Sequence, residues 1–356
     1  MKFKALKCKK GLVLASLLVG AGQTAWAQSA WRSVAVPYYT PPAFVQGLQL
    51  GWYAPRAREL VQGTERLTTL TRDYCAGSPV APVSAAREAW RAALFAWDRL
   101  STVSIGPLVE RRSVRRIDFV PARPELMARA IESQPDGAAG MERVGSPAKG
   151  FPALERLLWP TPAAPGSQAC AYAVQVAADI GREAVVLAEA FDAAGRAELD
   201  EAQTVSAMSE AVNQWIGGLD ALRLQGFERP LLERKTRGAA QPRFARDTSG
   251  ASAAERAVRW QTLGALAVFE GAEAPAPAAG LVPLEPYLRG KGLNPLADKL
   301  VAAVRQAGRG VAAARGSEPA RVQAAARQLA ALKALVEGEV AAALDIRLGF
   351  SDADGD

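Results

Sequence analysis

The chain has 356 residues, 49% of them hydrophobic and 7% aromatic; that is enough for one large domain or two medium ones around a real core, and an alanine-rich texture with few β-branched runs favours helix over sheet. The formal charge is +7, but residues 1–27 hold five lysines and no acidic residue, so without them it falls to +2 and no strongly basic surface argues for nucleic acid. There is no histidine, which removes the commonest metal ligand, the usual general base and any Ser/His or Cys/His catalytic pair.

The N-terminus reads as a cleavable signal peptide over residues 1–27. "MKFKALKCKK" is a cationic n-region, "GLVLASLLVGAG" is an apolar run too short to span a bilayer, and Ala25-Trp26-Ala27 is an A-x-A cleavage signal. The mature chain then starts near Gln28, is exported, and carries no transmembrane span; the alternative is a retained anchor. Cys8 precedes the apolar run, so it is not a lipid-modified first residue. In an exported chain the two remaining cysteines, Cys75 and Cys170, are expected to form a disulfide. It would close a loop of nearly a hundred residues and contribute ~4 kcal/mol on the chain-entropy model. The alternative is two separate thiols.

From residue 41 the sequence is a series of amphipathic helices joined by Pro/Gly-rich loops. The first follows Pro41 and Pro42 and runs toward Cys75. The second, "SAAREAWRAALFAWDRL", takes Ser84 as its N-cap and sets Trp90, Leu94, Trp97 and Leu100 in one stripe. "RPELMARAIES" is a third, and "FPALERLLW", between Pro152 and Pro160, a short fourth. Residues 160–169, "PTPAAPGSQA", are a linker by composition. The pattern then restarts with a long helix at 171–194. Another follows, with Val205, Met208, Val212, Trp215, Leu219 and Leu222 at 3- or 4-residue spacing, and three more close the set. The expected fold is all-α: two tandem four-helix-bundle-like domains, 28–165 and 166–356. No letter-by-letter repeat supports an internal duplication.

Several clusters could carry chemistry. In "GFPALE", Gly150 and Pro152 open a helix and Glu155 ends its first turn. A histidine at 152 would share a helix face with Glu155 and could bind the same metal, but proline has no side-chain donor. Glu155 is then either an acid placed by the helix dipole or a carboxylate kept in a polar pocket. Arg91 and Asp98 lie seven residues apart beside Trp90 and Trp97, either lining a ligand pocket or forming a surface ion pair over core indoles. In "ERRSVRRIDFVPARP" the stretch Arg116-Ile117-Asp118-Phe119 looks extended, and its arginines could clamp an anion or simply face solvent. Residues 233–252, with Arg243 and Arg246, are a basic counterpart or an exposed loop; Ser252 is a candidate N-cap there. The tail Asp352, Asp354, Asp356 has the spacing of the start of a calcium loop but no closing glutamate, so a polar tail is the default.

These stretches, taken in order with the leader, with "RWQTLGALAVFEG" and with the ending "LGFSDADGD", resemble the imelysin family of exported bacterial proteins, especially its imelysin-like branch. The resemblance implies two related four-helix bundles, a cell-envelope location and often a link to iron acquisition. The family's hallmark, G-x-H-x-x-E, is proposed to bind metal and was once taken as peptidase machinery; here it reads Gly150, Pro152, Glu155, without the histidine. The resulting expectation is a periplasmic, non-catalytic protein that binds a ligand or metal complex where the bundles meet. Glu155 is its buried acceptor and candidate metal ligand, and Gly150, Arg91, Asp98, Arg116, Asp118, Arg243 and Arg246 accompany it. The cargo would be iron or another divalent metal, with an envelope transporter as a possible partner. The rival expectations are an imelysin-type metallopeptidase and an envelope adaptor.

Overall fold

The computed structural model describes residues 37–232, 249–269, 280–314 and 318–349. The signal-peptide reading, Arg243, Arg246 and the aspartates of the tail lie outside the described residues. Every regular element among the described residues is helical, so the all-α expectation holds.

The first expected helix is one continuous rod with an insertion. Thr40 caps α1 (Pro41–Leu48), a π-turn covers Gln49–Tyr53, and α2 runs Ala54–Cys75. The second is α3 (Val83–Ser101), whose N-cap is Pro82 rather than Ser84; Ser84 falls inside the first turn. Trp90, Leu94, Trp97 and Leu100 are all fully buried, each worth about 1.5–3 kcal/mol of apolar burial. Short elements follow: α4 (Pro107–Glu110), α5 (Ser113–Ile117), α6 (Pro124–Ser133) and α7 (Gly137–Glu142). The motif helix is α8 (Gly150–Leu158).

Ser167 caps the long α9 (Gln168–Arg196), and an Asp200/Gln203 capping box starts α10 (Glu201–Ala221). On α10 the inward stripe begins at Thr204, while Val205 is exposed. A π-turn (Leu222–Glu228) and a last helical stretch, α11 (229–232), continue the rod. Then come α12 (Ser252–Ala267), α13 (Leu284–Gly290), α14 (Asn294–Ala313), α15 (Pro319–Leu335), a π-turn (Val336–Val340) and α16 (Ala341–Ala343). Ser252 is the first residue of α12, and the cap position belongs to Ala251.

Seven long helices and the short α8 form two sets of four. In the first, α2 packs along α3 and α9, and α8 lies on both α3 and α9; in the second, α10, α12, α14 and α15 pack together. Two helices pack on elements from the far side of the 160–169 stretch. Helix α9 follows the linker yet packs in the first set, and α1 precedes it yet packs on α10, with Phe44 5.1 Å from Tyr287 of α13. A Cys75–Cys170 disulfide ties the end of α2 to the start of α9, which holds α9 against α2. The two sets meet where α12 reaches α3. No helix among the described residues is long and apolar enough to cross a membrane.

Candidate functional site

The site is built on the first turn of α8. Gly150 has φ +80°, and a Cβ there would collide with the Ile117 carbonyl, so the backbone leaving α5 lies directly on the helix start. Pro152 is the third residue of α8, a position whose N–H has no intrahelical acceptor, so its missing donor costs nothing. The peptide of Phe151 is fixed from α3, where Trp90 Nε1 donates to its carbonyl at 3.1 Å. One turn on, Glu155 is only 3% exposed.

Two charged side chains converge on one residue of the second set. Glu155 Oε1 accepts the backbone N–H of Ser249 at 2.9 Å. Arg91 Nη2 donates to the carbonyl oxygen of the same Ser249 at 3.0 Å. Ser249 is 6% exposed and stands three residues before α12. Trp159 supports the arginine: the Arg91 guanidinium lies 5.2 Å from its ring centre and that of Arg87 lies 5.1 Å from it. Arg87 also donates twice to the Leu158 carbonyl, at 2.9 and 2.7 Å.

Asp98, one face-repeat beyond Arg91 on α3, is fully buried. It accepts from Arg259 Nε of α12 at 3.1 Å, and Arg259 Nη2 also holds Glu255 at 2.7 Å. Arg91 and Asp98 thus each face a partner from the second set. Asp118 lies nearby through its bond from Trp97 Nε1, 3.0 Å. Arg116 belongs elsewhere. It sits in the helical turn α5 rather than an extended stretch, and its Nε is 3.3 Å from Glu183 of α9.

As a metal centre the donor set does not fit. Pro152 offers no ligand atom, Glu155 already accepts the Ser249 N–H, and among the described residues no three Asp, Glu or Cys side chains come together as ligands. A cavity of about 160 Å³ between the π-turn at Leu222–Glu228 and α15, walled by Phe227, Leu231, Val322 and Ala326, is smaller than the usual ligand pocket of roughly 300–1,000 Å³.

The family model for imelysin matches residues 53–345. The chain belongs to the imelysin family. Two solved structures share its fold. An imelysin-like protein from Psychrobacter arcticum 273-4 is 18% identical, with a TM-score of 0.70 over 89% of this chain and 100% of that one. A "putative iron-regulated protein A precursor" from Parabacteroides distasonis ATCC 8503 is 14% identical, with a TM-score of 0.69 over 86% of this chain and 95% of the other. No curated protein sequence matches it.

In this imelysin-family chain the structure brings together Glu155, Gly150, Arg91 and Asp98, with Asp118 at their edge, and leaves Arg116 outside. Sequence reasoning missed two participants and, outside the site, the buried acid that holds Arg116. Ser249 acts through its backbone, which no side-chain pattern reveals. Arg259 is visible only as an i,i+4 partner of Glu255. Glu183 is 4% exposed and accepts from Arg111 Nε and Nη2 at 3.0 and 2.8 Å and from Ser113 Oγ at 2.7 Å. Its signal was available: an acid between Ile180 and Leu187 in the apolar stripe of α9.

Proposed function

We propose that this imelysin-family chain is an exported, non-catalytic binding protein of the periplasm that holds a ligand or metal complex between its two helical sets and serves iron or metal acquisition, delivering to an envelope transporter. The observation that carries the reading is the convergence of a buried carboxylate, Glu155, and a Trp-supported guanidinium, Arg91, at the junction of α3, α8 and the start of α12. Opposite charges held in one water-poor place recognise a ligand's polar groups. Iron enters as a complex, because its chelator supplies the donors that the described residues do not bring together. The iron-regulated name of the Parabacteroides structure supports that direction. A peptidase has less support, since Pro152 stands where the hallmark has a histidine and the chain has no histidine to serve as general base.

The test is calorimetric titration of the mature protein with ferric nitrilotriacetate. Binding that falls at least tenfold in Glu155→Ala and in Arg91→Ala is expected. No binding, or binding indifferent to both substitutions, overturns the reading.

A further inference from the structure

The site's ligand chemistry can be read from what Glu155 and Arg91 hold now. Glu155 takes an N–H and Arg91 takes a C=O, and both belong to Ser249. Donor and acceptor are therefore joined through one tetrahedral carbon and one carbonyl carbon, N–Cα–C=O. A carboxylate bearing a hydroxyl on its α-carbon has the same connectivity, HO–Cα–COO⁻. We infer that the ligand is an α-hydroxycarboxylate and that the Ser249 backbone occupies its place in the free protein. This rests on the reading of Glu155 and Arg91 as the binding pair.

Three features make the exchange favourable. The ligand's carboxylate would meet Arg91 through a charge-assisted bond, where Ser249 offers only a neutral carbonyl. Its hydroxyl would donate to the Glu155 carboxylate, replacing an amide N–H with a donor of equal count. The local charge is right, too. Arg87 adds a second guanidinium against Trp159, and Asp98 is paired with Arg259, which it shares with Glu255, so beside Glu155 the anion meets the guanidinium groups of Arg91 and Arg87. Discrimination follows from burial. With Glu155 only 3% exposed, a ligand lacking the hydroxyl would displace Ser249 and give that buried carboxylate no donor in exchange for the N–H it removes, which a site of this kind disfavours.

The experiment compares citrate with tricarballylate, which has the same three carboxylates and no hydroxyl, by calorimetry on the mature protein. Amide hydrogen exchange at Ser249 is followed in parallel. Citrate should bind on the order of tenfold more tightly. The Ser249 amide should be protected in the free protein and lose that protection at saturating citrate. Ser249→Pro, which removes the competing N–H, should tighten citrate binding severalfold; the exchange and analogue arms on the wild type do not depend on that variant folding. Equal affinities for the two acids, an amide still protected with citrate bound, or no citrate binding by either form overturns the inference. Glu155-dependent binding of ferric nitrilotriacetate without displacement of Ser249 by citrate would remove the ligand class and leave the binding function standing; binding of neither probe would remove both.

Discussion

Glu155 on α8 and Arg91 on α3 grip opposite ends of one residue: the carboxylate takes the Ser249 N–H at 2.9 Å and the guanidinium takes the Ser249 carbonyl at 3.0 Å. Glu155 is thereby tied to the second helical set. A second tie, Asp98 to Arg259, lies on the same face of α3. On the proposed reading, ligand recognition and the attachment of α12 share the same side chains, so binding and stability should respond together to substitution there.

Glu155→Ala should destabilise the fold by about 1–3 kcal/mol, because it strands the buried N–H of Ser249. Glu155→Gln keeps an acceptor oxygen in place and should lose much less. Urea unfolding of the two variants against the wild type reads the difference. Equal losses would mean that the bond to Ser249 contributes little.

Gly150→Ala should cost more than about 2 kcal/mol, since it adds a Cβ at φ +80° and drives it into the Ile117 carbonyl. The motif glycine is then a requirement of backbone approach between α5 and α8, separate from any ligand. Denaturant unfolding checks this: near-wild-type stability would show that the 117–118 segment yields.

The parts of this molecule legible in the sequence are those set by local periodicity. The stripe Trp90, Leu94, Trp97, Leu100 is buried as its spacing requires. The same logic slipped by one residue on α10, because Thr204 and Val205 lie four and three positions before Met208 and both fit a helical face. The extended reading of Arg116–Phe119 failed through a distant attraction: Glu183 draws Arg111, Ser113 and Arg116 together and winds residues 113–117 into a turn. In the site, the candidate side chains were visible and their partners were not. Ser249 lies 94 residues from Glu155 and 158 from Arg91, and Arg259 lies 161 from Asp98. Contacts of that separation are decided by how the two sets pack, which no local pattern encodes.

Glu183→Ala should be among the most damaging single substitutions, at about 3–5 kcal/mol, because it leaves Arg111 beside an empty buried position and releases Ser113. Glu183→Gln retains one acceptor and the side chain's volume, so it should lose less. Thermal unfolding ranks the two, and a loss below about 1 kcal/mol for the alanine variant would show that water substitutes for the carboxylate.

Glu210 of α10 supplies a pH dependence separable from the site. Its carboxylate accepts the Gly106 N–H at 3.0 Å. Burial pushes its pKa above the ordinary 4.5, the Gly106 N–H pulls it back, and Glu110 of α4 pushes it up again; its charge in turn adds to the burial that raises the Tyr53 hydroxyl. A carboxyl raised in the folded state binds its proton more tightly there than in the unfolded chain. The stability it contributes is therefore complete below the unfolded value and is lost as pH rises through the folded one. Glu210→Gln mimics the protonated form and keeps an acceptor for Gly106. It should melt about 2 °C higher than wild type at pH 7, and that advantage should vanish near pH 4, where the wild-type carboxyl is itself protonated. A variant that melts lower than wild type at pH 7 would mean that the charged bond to Gly106 outweighs burial and the repulsion from Glu110.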